Sequence, residues 1–337
     1  MKVLVTGGGG FLGSAICRQL LARGADVVAF QRSPAPAIEA IGARVVSGDL
    51  QDMACLTEAM SGCDAVVHTA GKAGVWGAYE DYYRVNVLGT ENVISACRSV
   101  AVRTLVYTSS PSVVHGGGDI EGGDESLPYP AEFHSPYPAT KALAEQLAMA
   151  ASNDSLHTTG IRPHLVWGPG DPHLLPRLLE RSSGGVLKLP GRDKLIDTIF
   201  VENAAQAHLL ALDELRGQAR CAGKTYFVSN DQPLPQGEII AGLLAAAGRE
   251  CEIRTVPPGL AIALGTILQS GWKIFGRSGE PPLTRWSAEQ LSTAHWYDIS
   301  AAKRDFGYGA GISIKQGLET LAEHFGVTAP DPSAHRA

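Results

Sequence analysis

The chain has 337 residues, 45% of them apolar and 18% charged, with a formal net charge of −6. That length buries a sizeable core without disulfide or metal staples. The acidic balance and the lack of a basic stripe exclude nucleic acid as the main partner, because phosphate binding needs clustered Lys and Arg.

The first half alternates strand-like and helical runs. Val3–Thr6 reads as a strand, too short to be a secretory signal, and Leu12–Arg23 as an amphipathic helix. Strands follow at Asp26–Gln31 and Arg44–Ser47, a helix at Met53–Met60 and a strand at Ala65–His68. Val85–Ser99 is a helix, Thr104–Ser109 a strand, Tyr137–Ala151 a helix and His157–Arg162 a strand. Such alternation predicts a doubly wound parallel sheet with right-handed crossovers. The predicted fold class is therefore α/β: a Rossmann domain over residues 1–168, with a smaller, partly helical C-terminal substrate lobe over 169–330. Elements around 196–230 are expected to return to the first domain. The tail from Thr328 to Ala337 reads as frayed. Two segments break the rhythm, Gly71–Tyr83 and His115–Pro136. In the first, Trp76, Tyr79 and Tyr82 suit either an acyl pocket or plain packing under a loop. The six cysteines, Cys17, Cys55, Cys63, Cys97, Cys221 and Cys251, form no C-x-x-C pair. They read as thiols in a reducing cytoplasm, with no metal site.

The segment Thr6–Gly13 follows a strand and opens a helix. Gly7, Gly10 and Gly13 give the tight turn, the bare backbone and the close helix–strand contact that a dinucleotide pyrophosphate requires. Phe11 and Leu12 lie at the helix N-terminus, whose N–H groups and partial positive charge suit the phosphates. The second strand ends Phe30-Gln31-Arg32, without the acid that accepts from an NAD ribose, and Arg32 is placed to pair with a 2′-phosphate. The expected cofactor is NADP(H). Asp49 and Leu50 close the third strand as candidates for the adenine, Asp49 also suiting a turn or helix cap. Ala70 ends the fourth, where a small residue lets the cofactor's sugar lie close.

Tyr137 and Lys141 are four residues apart and share one helical face. A phenol near pKa 10 is a poor acid at neutral pH, and a neighbouring ammonium is expected to lower it. Tyr137 is then the proton donor to a carbonyl oxygen, with Lys141 also holding the nicotinamide ribose. Ser109 and Ser110 end the fifth strand, at the sheet edge where ligands bind. Ser110 is the candidate to polarise the carbonyl, Ser109 to face the cofactor.

With these residues the chain resembles an extended short-chain dehydrogenase/reductase of the 3β-hydroxysteroid dehydrogenase-like branch. The resemblance also rests on Asn86–Asn92, Arg162–Pro169, Phe200–His208, Pro281–Arg285 and Tyr297–Ser300. It implies catalytic roles for Ser110, Tyr137 and Lys141, and cofactor contacts from Gly7, Gly10, Gly13, Asp49 and Pro163. Gln31 departs from the branch's usual acid. Within the branch the sequence is similar to bacterial reductases of long-chain olefin biosynthesis, which reduce a β-keto acid bearing two alkyl chains to the 2-alkyl-3-hydroxy acid. The implied partner is a small molecule with long alkyl chains. A homodimer is a further expectation, with docking onto pathway enzymes or peripheral membrane contact left open. Leu260–Phe275 is apolar but interrupted by Gln269, Ser270 and Lys273. It suits a wall or lid for alkyl chains, a core helix or a dimer interface. The alternatives are a sterol or hydroxysteroid dehydrogenase, and a nucleotide-sugar epimerase using Arg177, Arg181, Lys188, Arg192 and Lys194 for a diphosphate. An NADPH-binding sensor or scaffold is the non-enzymatic one.

Overall fold

Six apolar strands of the first half and one from the second, Lys224–Val228, assemble into one seven-stranded parallel sheet. In spatial order they are Lys224–Val228, His157–Pro163, Thr104–Thr108, Ala65–His68, Lys2–Thr6, Asp26–Gln31 and Arg44–Ser47. The runs of Val, Ile and Leu in the sheet's inner strands are buried on both faces, as crossover helices demand, while the edge strand Arg44–Ser47 is only half-buried. The computed structural model describes residues 1–327; the frayed tail expected at Thr328–Ala337 lies outside the described residues. The strand order reverses between Lys2–Thr6 and Ala65–His68. That switch point opens a crevice at the carboxyl ends of the strands.

Helix Phe11–Ala22 packs with Val201–Arg216 on one face, while Met53–Met60 and Gly89–Ser99 cover the other. The strand Lys224–Val228 lies at the sheet edge, and the carboxylate of Glu125 accepts its Phe227 N–H at 2.9 Å. A side chain thus blocks pairing at an edge that would otherwise invite another strand. A second apolar cluster gathers Trp167, Leu187, Phe200, Ile240, Leu243 and Leu321 outside the main sheet. A small sheet brings Ile120–Gly123 beside His295–Tyr297 and Leu195–Ile196.

The reading of Val85–Ser99 as a single helix is corrected. The segment starts earlier, with a helical turn at Tyr79–Tyr82, then a π-helix over Tyr83–Leu88 and the α-helix Gly89–Ser99. The His115–Pro136 segment contains the strand Ile120–Gly123 that sequence alone did not suggest. The apolar stretch forms helix Pro258–Ile274 and is not a core element. Leu260, Leu264, Ile267, Ile274 and Phe275 are 48–79% exposed, and only Ala261 and Gly265 of the helix are buried. No helix among the described residues is long and apolar enough to cross a membrane.

One buried ion pair locks the helix Pro136–Ala150 to the sheet. Arg162 donates to Glu145 twice, Nε to Oε2 at 2.8 Å and Nη2 to Oε1 at 2.6 Å, and Tyr129 adds a phenol hydrogen bond at 2.7 Å. Glu145 is fully buried and Arg162 nearly so. Removing one partner strands a buried charge. Glu145→Leu is expected to cost about 3–5 kcal/mol, read from urea unfolding; a loss below about 1 kcal/mol, as for a surface pair, would contradict this account.

Candidate active site

The glycine turn folds as it does because its residues lack side chains. Gly7 takes a positive φ of 69°, and a Cβ on Gly13 would collide with the Gly7 carbonyl. Gly10 begins helix Phe11–Ala22 in extended conformation with no side-chain cap. The first N–H groups of that helix therefore face the crevice without an internal acceptor, as an anion site requires.

Around this turn lies a cavity of about 720 Å³. Gly7, Gly10, Phe11, Leu12 and Gly13 line one wall, and Arg32, Asp49, Leu50 and Ala70 continue it. Ser109, Ser110, Tyr137 and Pro163 line the facing side. Lys141 lies behind this wall, not on it. Asp49 does not cap the helix Met53–Met60; Asp52 does, accepting from Cys55 N at 3.0 Å. Asp49 forms a turn instead, its Oδ1 accepting from Gln51 N at 3.0 Å. Gln31 accepts from Gly9 N–H through its amide oxygen and donates to the Ser33 carbonyl. Arg32 is exposed at the crevice and has no ion-pair partner among the described residues. None of Trp76, Tyr79 and Tyr82 lines the cavity. Tyr82 is buried and donates to the Trp76 carbonyl at 2.9 Å, so these aromatics pack the loop.

The Tyr–Lys pair departs from expectation in its electrostatics. Burial raises the pKa of the Tyr137 phenol, and hydrogen bonding with Ser110 works against it. The predicted lowering by the ammonium does not appear: burial dominates at the phenol, and it also pulls Lys141 itself toward neutrality. Its Nζ donates to the Thr108 carbonyl at 2.5 Å and lies 4.3 Å from the centre of the Tyr107 ring. Burial pulls the lysine down from 10.5 to about 7, with Glu145 opposing. Thr108 is itself held. His208 Nδ1 donates to the Ala204 carbonyl at 2.7 Å, so its Nε2 accepts from the Thr108 hydroxyl at 2.8 Å. Burial keeps that imidazole neutral, near pKa 4. Ser110 also caps the short 3₁₀ turn Pro111–Val114, where its Oγ lies 2.9 Å from that of Ser112. The Ser109 hydroxyl is buried, and Glu145, whose pKa it helps to lower, is its nearest recorded acceptor among the described residues.

A second chain of bonds sets the floor. Thr6 Oγ1 donates to His68 Nδ1 at 2.7 Å, His68 Nε2 donates to Thr90 Oγ1 at 3.0 Å, and Thr90 donates to the Asn86 carbonyl at 2.6 Å. This order is forced, since Thr90 spends its one proton on the carbonyl. The Asn86 side chain accepts from Lys72 N at 2.7 Å and donates to Thr140 Oγ1 at 3.0 Å. It thereby ties the Gly71 loop to the first turn of the helix that carries Tyr137. Sequence reasoning named Asn86 only within a motif and missed this role. It likewise named His164 and Leu165 only within a motif, and it missed Trp286 and Gln290; all four line the cavity. Leu165 has φ 44°, a strained value for a branched side chain.

This arrangement defines a class, the Rossmann-fold oxidoreductases that work with a nicotinamide cofactor. Residues 4–255 match the 3-beta hydroxysteroid dehydrogenase/isomerase family, and the chain belongs to it. It is 48% identical over 324 residues to a 2-alkyl-3-oxoalkanoate reductase of Stenotrophomonas maltophilia, covering 95% of this chain and 98% of that one. A Shewanella oneidensis protein of the same description is 46% identical over 326 residues, covering 94% and 84%. The human sterol-4-alpha-carboxylate 3-dehydrogenase (decarboxylating) is 33% identical, covering 96% and 88%. Among solved structures, a UDP-glucose 4-epimerase of Thermus thermophilus in complex with NAD superposes with TM-score 0.72 at 26% identity, covering 96% and 99%.

The buried lysine leaves a signature in stability. An unfolded lysine keeps its proton to about pH 10.5 and the buried one only to about 7. Between those values the unfolded chain binds the extra proton, so stability of the cofactor-free protein rises with pH across that window. Lys141→Met is expected to flatten the rise by up to about one proton, measured by urea unfolding at several pH values. An unchanged slope would show that Lys141 is not the group responsible.

Proposed function

We propose that this chain reduces the 3-keto group of a 2-alkyl-3-oxoalkanoic acid to the 2-alkyl-3-hydroxyalkanoic acid, using NADPH, in long-chain olefin biosynthesis. The observation that carries the reading is the meeting of Tyr137 and Ser110 in one crevice with the glycine turn. The near full-length similarity to reductases of that description supports it.

The chain's donors suit the cofactor. The uncapped helix N-terminus would take the pyrophosphate and Arg32 the 2′-phosphate; Lys141, which does not line the cavity, would reach the nicotinamide ribose only by turning from the Thr108 carbonyl. Gln31 adds no charge that would repel that phosphate. When bound, the cofactor supplies the hydride. Ser110 donates to the substrate carbonyl and orients it. Tyr137 passes its phenolic proton to the same oxygen as negative charge builds there. Lys141, fixed on the Thr108 carbonyl, holds the helix that carries Tyr137 against the strand that leads to Ser110. The Asn86 and His68 bonds hold these groups still, so little reorganisation is needed as charge moves.

A nucleotide-sugar substrate fits less well. Arg177 pairs with Glu280 at 2.9 Å, Lys194 pairs with Asp119 at 2.5 Å, and Arg181 donates to the Pro282 carbonyl. None of these cations, nor Lys188 or Arg192, lines the crevice. Leu165, Val166 and Leu174 line it there instead, which suits alkyl chains. The exposed apolar face of Pro258–Ile274 supports peripheral contact with a membrane surface or pathway enzymes in the cytoplasm. The reading includes a homodimer.

Incubation with NADPH and a synthetic 2-alkyl-3-oxo acid is expected to yield a product two hydrogens heavier by mass spectrometry. Tyr137→Phe should lower turnover by at least about 10²-fold while NADPH still binds; retained turnover would refute the assignment. Arg32→Ala is expected to reduce the NADPH-over-NADH ratio of kcat/KM by about tenfold or more. A wild-type preference for NADH would overturn the cofactor choice.

A further inference from the structure

The strand Thr104–Thr108 runs out at Ser109, whose N–H donates to the Ile161 carbonyl at 2.6 Å. Ser110 is extended, and the 3₁₀ turn Pro111–Val114 starts from it. Pro111, Val113 and Val114 are buried, and the two valines belong to the main apolar core. Ser112, between them, is half-buried and lines the crevice. The Val113 N–H closes the turn on the Ser110 carbonyl at 3.2 Å, and the His115 N–H bonds the Ser112 carbonyl at 3.3 Å. The His115 ring is tied in turn to Thr293, Nε2 to Oγ1 at 3.1 Å. Buried neighbours on both sides and these bonds hold Ser112 in place relative to Ser110.

That one residue approaches the Ser110 Oγ twice. Ser112 N–H donates to it at 3.2 Å, and Ser112 Oγ lies 2.9 Å away. A serine hydroxyl has one proton and two lone pairs. The backbone bond takes the first lone pair. The Ser112 hydroxyl has no other acceptor among the described residues. Its proton, directed at Ser110, fills the second lone pair. Ser110 then accepts from nothing else, and its own proton is left for Tyr137 or the substrate oxygen. The opposite arrangement, with Ser110 donating to Ser112, spends the proton that the substrate carbonyl needs. It also leaves a lone pair on Ser110 open to the Tyr137 phenol, whose proton would be held back from the same carbonyl.

We propose that Ser112 is a positioning residue: its hydroxyl donates to Ser110 and so commits the Ser110 proton to the substrate carbonyl. This rests on the reduction proposed above, in which Ser110 donates to that carbonyl. No covalent step is added; the pair fixes the direction of one hydrogen bond. A hydroxyl that already accepts two hydrogen bonds is also a stronger donor, since chained bonds polarise one another. As negative charge gathers on the substrate oxygen, a hydroxyl already aimed at it needs no reorientation.

The test runs in the oxidation direction, with NADP⁺ and a 2-alkyl-3-hydroxyalkanoic acid, because this substrate does not lose CO₂ as a β-keto acid does. The same transition state is crossed in both directions. Ser112→Ala keeps the backbone N–H and removes the hydroxyl. It is expected to lower kcat about tenfold and to change KM less than about twofold. Ser112→Thr, which keeps a hydroxyl on the same carbon, is expected to return kcat to within about threefold of wild type. Ser110→Ala is expected to lower kcat by about 10²-fold or more. In that background Ser112→Ala should cost less than about twofold, because the residue acts only through Ser110. NADP⁺ affinity is expected to stay the same in every variant. A Ser112→Ala loss that persists in full in the Ser110→Ala background, a loss that threonine does not restore, a loss of NADP⁺ binding, or no loss at all would overturn the positioning role and leave the reductase reading intact. A wild type without turnover, or a Ser110→Ala chain as active as wild type, would overturn the reading on which it rests.

Discussion

The carbonyl of Thr108 is the point on which the catalytic geometry turns. It receives the Lys141 ammonium, while the hydroxyl of the same residue is pinned by His208. One residue at a strand end therefore joins the helix carrying Tyr137, the strand leading to Ser110 and the helix Val201–Arg216. A buried ammonium is costly unless it is bonded, and here the strand carbonyl and the Tyr107 ring meet that need together. The cost appears in the depressed lysine pKa, which leaves the group poised near neutrality instead of permanently charged. Glu145 and Arg162, one helical turn further on, hold the same helix to the next strand.

Around that junction the polar groups form chains with defined direction. Thr6, His68, Thr90 and Asn86 each have one consistent assignment of protons, and burial keeps His68 neutral, near pKa 3. Such chains fix a floor without adding charge to it. The π-helix at Tyr83–Leu88 belongs to this construction, since it carries Asn86 into contact with both the Gly71 loop and Thr140. Wide helical turns are found often at functional sites for this reason: they redirect one side chain without ending the helix.

Much of this was legible in the sequence. The strands of the main sheet are short apolar runs with glycine or polar ends, and the helices between them keep a 3.6-residue period. The glycine turn and the Tyr137–Lys141 spacing are local patterns, and local patterns survive translation into structure. What depends on distant residues did not. Spacing suggested that the lysine would lower the tyrosine's pKa, but the ammonium's actual acceptor, Thr108, lies 33 positions away. Trp286 and Gln290 are remote in the chain from every recognised motif of the crevice except the one preceding them. Apolar composition alone could not say whether Leu260–Phe275 was core or surface, because that depends on what stands opposite.

The glycine turn has an implication for how cofactor choice changes over time. Its Gly9 N–H requires an acceptor, and Gln31 provides one through an uncharged amide. A carboxylate at the same position would offer the same acceptor. The turn's shape is therefore indifferent to which of the two side chains stands there, and only the local field at the adenosine end differs. Divergence between phosphorylated and unphosphorylated dinucleotides on this scaffold is a change of electrostatics alone, open to a lineage without any rebuilding of the backbone.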